Sequence, residues 1–525
     1  MRLTGLEIGI FVAYITAVIT IGFFSGRKGK RSTSNFFLAG RMLPWYVIGF
    51  SLIASSISTE QFIGEVGWGY KYGMAVCNWE WLCWPAQGLL LFFFLPVYLK
   101  NKIYTIPEYL SRRFGDVVGT TFSMVCIVMY LIINLPLVLY SGGFVMNKIF
   151  GLNLYLAIWI LVIAAGSYTI FGGLSAVAWV DLFNGVLLIF GGLVVFFLGV
   201  RAVPGGIAEI IGTGERAHLM LPADHPALPW TGMIAVAIVS SGFYYSSNQY
   251  IVQRCLGAKT EWDGKMGVVL AAFLAIPLAL SVTWPGMIAY ALNPNLHEVD
   301  AAYPYLISTL IPVGFRGIIF AALIGAIMST TDSLINSASS LLTMDIYKNL
   351  IYKDASDKSL VKFAQIAGTF FLIFGGLWSP MVGKFGSIFS YVQDCWALML
   401  APCMAVFVLA IFWKRTTNVA AAVTLFLAFP MLLIVFLREF YGIFADWNIF
   451  NLSLVIFVIS LFVAGGISLV TRPNDTERLK GKIWEPKMLK LPEEEMKLGY
   501  PWWKRIGFWF AVVVAFFTVI YIRFW

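Results

Sequence analysis

Runs of twenty or more apolar positions alternate with short polar connections along almost the whole of this chain. A bilayer core of about 30 Å needs roughly twenty helical residues at 1.5 Å each, so each run predicts a membrane-crossing helix. The runs lie near 5–25, 43–73, 75–99, 117–147, 153–172, 176–200 and 229–250, then near 266–292, 313–345, 361–381, 385–413, 417–437, 448–471 and 505–523. The pattern predicts an all-α polytopic membrane protein of about 14 transmembrane helices. Small polar residues interrupt two of the runs: Ala54-Ser55-Ser56-Ile57-Ser58-Thr59-Glu60 in the second, and Ser240-Ser241-Gly242 with Ser246-Ser247-Asn248 in the seventh. Backbone freed at membrane depth survives only where it lines a cavity. Breaks five spans apart predict two inverted five-helix repeats, each opening with a broken helix.

Charge tests the count, because alternate connections should collect Lys and Arg. Arg27, Lys28, Lys30, Arg31 and Arg41 follow the first span, and Lys100, Lys102, Arg112 and Arg113 the third. Arg254, Lys259 and Lys265 follow the seventh, and Lys348, Lys353, Lys358 and Lys362 the ninth; Lys414 and Arg415 follow the eleventh, and Arg472 through Arg505 the thirteenth. These faces are expected to be cytoplasmic. The opposite connections carry isolated bases such as Lys148, Arg201, Arg216 and Arg438. Both termini are therefore expected outside a plasma or inner cell membrane. The expected layout is an extra helix and cytoplasmic loop over 1–42, then the first repeat and the start of the second over 43–250. The rest of the second repeat follows over 251–416, with three peripheral helices over 417–525 joined by a charged, solvated linker at 472–504.

Composition narrows the function. The 525 residues are 60% hydrophobic and 12% charged, against about 25% charged in soluble domains. The net charge of +9 is explained by topology, since no basic helix interleaved with aromatics marks a nucleic-acid partner. Six scattered cysteines form no CxxC pair, and His218, His225 and His297 all lie in polar connections. No disulfide framework, zinc site or haem within the membrane follows. Without GxSxG, HExxH or P-loop patterns, the chain is not expected to be an enzyme or an ATP-driven pump.

The remaining chemistry lies inside spans. In the ninth, Ala326, Ser329, Thr330, Asp332, Ser333 and Asn336 interrupt an apolar helix, and 326, 329, 333 and 336 share a face. A carboxylate at that depth costs several kcal/mol unless neutralised, so Asp332 needs a bound cation, a proton or a base from another helix. Hydroxyls and carbonyls with little net charge suit monovalent Na+ better than Ca2+ or Mg2+. A second set, Gln61, Glu80, Asn134, Tyr244, Tyr245 and Gln393, offers amides, a carboxylate and phenols; Trp79, Trp81 and Phe62 add aromatic surfaces. Such a mixture binds a neutral polyhydroxylated solute.

The order of longer motifs resembles the sodium/solute symporter family, particularly its sodium/sugar cotransporter branch. The resemblance runs from Asn35-Phe36-Phe37-Leu38-Ala39-Gly40-Arg41 and Ser58-Thr59-Glu60-Gln61-Phe62-Ile63-Gly64 through Tyr104-Thr105-Ile106-Pro107-Glu108-Tyr109 and Phe171-Gly172-Gly173-Leu174. It continues through Asn248-Gln249-Tyr250-Ile251-Val252-Gln253-Arg254 to Phe412-Trp413-Lys414-Arg415. It implies a five-plus-five inverted repeat with one helix before and three after. It also implies a sodium site on the carbonyls of Ala54, Ile57 and Ala326 and the hydroxyls of Ser329 and Thr330. Solute contacts would fall on Gln61, Glu80, Asn134 and Gln393, with Trp79 and Tyr245 near the pocket and Tyr244, with Phe62, as gates. Ser56, Cys83 and Ala275 stand where that branch carries asparagine, serine and lysine. A possible second sodium would use Asp181, Asp332 and Ser333.

The expected activity is therefore sodium-driven uptake of a neutral sugar or polyol, glucose- or galactose-like, by alternating access. Sodium, the solute and the lipid bilayer are the expected partners. The competing readings are sodium symport of another solute, a sialic-acid-like anion or myo-inositol, and a transporter-like sensor. An anion would need a compensating base or a helix N-terminus, whereas this set keeps Glu80 and lacks the lysine.

Overall fold

The computed structural model describes residues 4–27, 32–58, 61–312, 314–384, 388–497 and 499–525. Thr59 and Glu60 of the motif after the first break, and Lys28, Lys30 and Arg31 of the first basic connection, lie outside the described residues. Among those described, eleven helices are long and apolar enough to cross a membrane. Among the described residues no strand is formed, and only the isolated bridges Leu43 to Ala258 and Leu221 to Pro229 occur.

The hydropathy runs map onto these helices once three features of the backbone are taken into account. Gly73 (φ 74°) turns the chain between two helical segments inside the stretch Gln61–Lys100. Gly173 (φ 62°) does the same inside the 49-residue element α5 (Leu154–Ala202). A Cβ at Gly173 would lie 2.4 Å from the Phe36 carbonyl oxygen, so both the left-handed backbone and the close approach require glycine there. The seventh run is helical over 230–247, through a wide turn at Val236–Ser240, and ends in α6 (Ser241–Ser247). It is divided from α7 (Gln249–Leu256) at Asn248, whose backbone is extended (φ −77°, ψ 122°).

The other break follows the same pattern. Helix α2 (Trp45–Ser56) ends where Ile57 turns extended (φ −119°, ψ 126°). The chain resumes as a wide i+5 turn over Gln61–Glu65 and then as α3 (Val66–Tyr72). Both interruptions consist of serines and one branched or amide side chain. These residues bond locally and favour a non-helical backbone.

Burial orders the bundle. The most apolar window of the stretch Phe315–Ile351 is 94% buried, against 17% for the first helix, α1 (Gly5–Gly26), and for the last, α11 (Ile506–Phe524). Helix α9 (Phe315–Leu341) is thus the centre, packed against α5 and α2, while α1 and α11 face outward. Two contacts fix α5 against its neighbours. Tyr14 of α1 donates to Asn184 at 3.1 Å, and Asn184 donates to the Gly325 carbonyl at 3.1 Å.

The connection at 472–504 is not the solvated linker its charge predicts. The Trp484 indole donates to the Phe92 carbonyl at 2.9 Å, and its backbone N–H donates to the Ile411 carbonyl. Glu495 accepts from the backbone N–H groups of Glu261 and Trp262 at 2.8 and 2.9 Å, satisfying two orphan donors at the start of α8 (Glu261–Val282). Its charges face water while a few apolar and capping residues hold it to the bundle.

Candidate functional site

Helix packing produces a cavity of about 780 Å³ at the first break. It is lined by Ser56, Gln61, Trp79, Glu80, Cys83, Asn134, Tyr244, Tyr245, Thr330 and Gln393, residues drawn from elements up to several hundred positions apart. Trp79 and Glu80 come from α4 (Asn78–Trp81), which starts directly after the turn at Gly73. Three lining residues sit at wide i+5 turns: Gln61 begins one, Asn134 ends that over Met129–Asn134, and Ser240 ends that over Val236–Ser240. Such turns re-aim a side chain within a helix and recur at functional sites.

The walls are ordered by specific contacts. The Trp396 indole donates to Asn134 Oδ1 at 3.2 Å, and the Tyr244 ring lies 5.1 Å from that of Trp396. Tyr250 donates to the Tyr244 hydroxyl at 2.9 Å, and Tyr245 packs edge-on against Tyr244. Trp79 is held between Trp68 and Phe450, each at 5.6 Å. Gln61 spans the break itself: its amide donates to the Ser56 carbonyl at 3.2 Å and accepts from the Ser58 N–H at 2.8 Å. Its amide can exchange those bonds for a solute hydroxyl.

Among the described residues of this lining, Glu80 is the one charged group, and none is Lys, Arg or His. Gln393 also belongs to a second recess of about 1370 Å³, which includes Trp68, Tyr72, Asp224, His225, Asp394, Arg438 and Asp446. Partial burial lowers the pKa of His225 there, against the pull of Glu215 and Asp224.

Two expected members stand apart. Phe62 is buried against Tyr303, ring centroids 5.3 Å apart, and does not line the cavity. Trp81 is likewise buried away from it. Trp396, Tyr250, Ser240 and Ser241 do line it. Trp396 gave no sequence signal because an indole in an apolar run reads as packing.

A second cluster adjoins the cavity. Thr330 donates to the Ile57 carbonyl at 3.0 Å, joining the hydroxyl of α9 to the end of α2. Ser329 donates to Asp181 at 2.5 Å. Ala54 and Ala326 are fully buried beside these partners, and Ala54 packs near Gly185, one turn beyond Asp181 on α5. The last carbonyls of α2 have no amide one turn ahead, and they carry the negative end of the helix dipole. Of the five atoms implied for sodium, the structure brings the Thr330 hydroxyl onto the Ile57 carbonyl, while the Ser329 hydroxyl is used by Asp181.

Asp181 is the hub of this cluster. It accepts from Ser51 (2.5 Å), Ser55 (3.1 Å) and Ser329, and Arg254 lies 3.3 Å away. The alternation of charge places Arg254 in a cytoplasmic connection, but its side chain is fully buried. It donates to Ser51 at 2.9 Å, to Ser55 at 2.5 Å and to Ser333. The base that might neutralise a buried aspartate thus exists, and it serves Asp181. Asp332 turns away to other partners: it accepts from Tyr168 and, at 2.5 Å, from Thr169. Asp181, Asp332 and Ser333 are therefore not gathered around one point. The guanidinium holds Asp181 with Ser333, and Asp332 lies on another face of α9.

Beyond Asn248 the helices are tied together by hydrogen bonds. Tyr130 donates to the Asn248 amide oxygen, Tyr98 donates to the Ser246 carbonyl at 3.1 Å, and Gln253 bonds the Phe37 carbonyl, Ser340 and Ser337. No group of three or more His, Cys, Asp or Glu is arranged for a metal among the described residues. A sodium site of hydroxyls and carbonyls does not depend on such a group.

Comparison with known proteins agrees with this architecture. Residues 36–427 match the sodium:solute symporter family. The chain is 33% identical over 507 residues to a sodium/glucose cotransporter of Vibrio parahaemolyticus, covering 90% of this chain and 92% of that one. It is 32% identical over 558 residues to the human sodium/myo-inositol cotransporter, covering 93% and 76%. Its fold matches that of a Na+-coupled sialic acid symporter in a substrate-bound outward-open state, with a TM-score of 0.79, 22% identity and coverage of 90% and 100%.

Proposed function

This chain belongs to the sodium:solute symporter family, and we propose that it couples inward sodium movement to uptake of a neutral sugar or polyol. It is a multi-pass membrane transporter, not an enzyme, with Na+ as its coupling ion. The observation that carries the solute class is the lining of the cavity. Amides at Gln61, Asn134 and Gln393, the Glu80 carboxylate and the rings of Trp79 and Tyr245 line a space that no cationic side chain joins among the described residues. Hydroxyl groups pair with amides and carboxylates, and sugar or ring faces pack on aromatics. An anion would meet Glu80 uncompensated. The glucose and myo-inositol cotransporters among the relatives support the same class.

Sodium would sit on the Ala54, Ile57 and Ala326 carbonyls with Ser329 and Thr330. The Thr330–Ile57 bond supports this reading, because an ion there would link the broken helix to α9 and so tie cavity shape to ion occupancy. Arg254 already compensates Asp181, which supports one sodium per solute. Counting the turns at Gly73 and Gly173 and the interrupted seventh run brings eleven long helices to fourteen passes. With basic connections inside, both termini lie outside and the recess at Gln393 faces outward.

Uptake of a labelled panel of hexoses, inositols and carboxylated sugars into proteoliposomes tests the solute class. Sodium-dependent accumulation of a neutral member is expected. Uptake restricted to a carboxylated member overturns the assignment.

A further inference from the structure

Among the acidic side chains of the membrane interior, Glu65 belongs neither to the cavity lining nor to the sodium cluster. Glu65 ends the wide turn Gln61–Glu65 and is fully buried. Its Oε1 accepts from the Thr283 hydroxyl at 2.5 Å, while Oε2 is buried with no hydrogen-bond partner. Thr283 links α8 to Trp284–Leu292, and the close packing of this junction on α3 holds the pair in place. A Cβ on Gly69 would lie 2.5 Å from the Thr283 carbonyl.

Among the described residues, the groups around Glu65 supply no positive charge. Glu80 of α4 and the Cys77 thiol face it from the segment that follows α3. Asp300 approaches α3 at Gly67, and Tyr303 packs on Phe62 three residues before Glu65. None of the ion pairs among the described residues includes Glu65 or Glu80. An isolated carboxylate at membrane depth is expensive, and two ionised carboxylates within electrostatic reach are more so. A neutral carboxylic acid with one strong hydroxyl partner costs far less.

We propose that Glu65 is a proton-binding site, a protonated acid that leaves Glu80 as the ionised member of the pair beside the solute cavity. This builds on the reading of that cavity as the solute site. The proton arrives from water as H+ and is released as H+, and no covalent or redox step is involved. When it is lost at high pH, both carboxylates are ionised and repel, which displaces the Glu80 carboxylate from the position in which it accepts a solute hydroxyl. Solute affinity falls as pH rises through the titration of the pair, by up to about tenfold per pH unit for one proton.

Infrared difference spectroscopy on the full-length protein tests the proton directly and needs no solute. A protonated-carboxyl C=O band at neutral pH should vanish in Glu65→Gln, shift in Thr283→Val, which removes the hydroxyl partner, and persist in Glu80→Gln. Absence of any such band assignable to Glu65 overturns the proposal. Equilibrium solute binding across pH tests the link to Glu80. The unmodified protein should lose affinity with rising pH, while Glu65→Gln, which mimics the protonated acid, should give a flat profile. A Glu65→Gln profile as steep as the parent's overturns that link. If no neutral solute binds to either protein, the reading of the cavity fails, and the infrared band still decides the proton.

Discussion

The solute cavity and the Asp181 cluster share two walls, α2 and α9, yet they are built in opposite ways. In the cluster, side chain meets side chain: three serines and an arginine converge on one carboxylate, and almost all the bonding capacity is used internally. In the cavity, polar groups line open volume, and the bonds they do make, such as those of Gln61 to Ser56 and Ser58, are neutral and local. A closed, charge-balanced cluster locks helices together, whereas an open lining is left available to a ligand. Thr330 stands where the two meet, since it both lines the cavity and bonds to the Ile57 carbonyl.

The contrast can be broken most severely at Arg254. Arg254→Met strands Asp181 as a buried, uncompensated charge and should cost about 3–5 kcal/mol of stability, read as a large loss of thermal stability in detergent. Adding Asp181→Asn should recover most of that loss, because the double variant has no charge left to compensate. A single variant as stable as the parent would show that the cluster is not charge-balanced as described.

At the junction, Thr330→Ala removes a hydroxyl proposed to ligate sodium, worth about 1.5–3 kcal/mol for a bond to a charged group. The sodium concentration for half-maximal uptake should rise on the order of tenfold to a hundredfold. Unaltered sodium activation would remove Thr330 from the ion site. On the open side, Asn134→Ala removes one neutral hydrogen bond, about 0.5–1.5 kcal/mol, and should weaken solute binding roughly two- to tenfold. Titration of labelled solute checks this, and undiminished affinity would exclude Asn134 from contact. The smallest effect belongs to Phe62→Leu. Phe62 packs on Tyr303 and not on the cavity, so solute affinity should stay within about twofold while stability falls by about 1–2 kcal/mol.

The sequence made most of the cavity visible and little of the cluster. Gln61, Glu80, Asn134 and Gln393 stood out because a large hydrogen-bonding side chain inside an apolar run needs a reason, and the helical spacing of Ser329 and Ser333 exposed a polar face. Arg254 was hidden by the rule that assigns a basic residue after a span to cytoplasmic water. Its partner lies 73 positions earlier, and only tertiary packing of α7 against α2 and α5 reveals the pairing. The same holds for Asp332, whose bonds to Tyr168 and Thr169 cross more than 160 positions. Hydropathy located the two breaks within a few residues, since serine runs compete with helix. It could not show that Gln61, Asn134 and Ser240 sit at wide turns, because such a turn has no composition of its own. The stretch 472–504 misled because average charge outweighs a few anchoring residues such as Trp484 and Glu495.

The most direct test of sodium coupling to a neutral solute is the reversal potential of solute-dependent current in proteoliposomes under imposed sodium and solute gradients. One sodium moving with an uncharged solute carries one charge per cycle, so the potential should follow both gradients with a ratio of one sodium to one solute. A potential indifferent to the sodium gradient would contradict the coupling, and a ratio of two would contradict the assignment of Arg254 as the cation that neutralises Asp181.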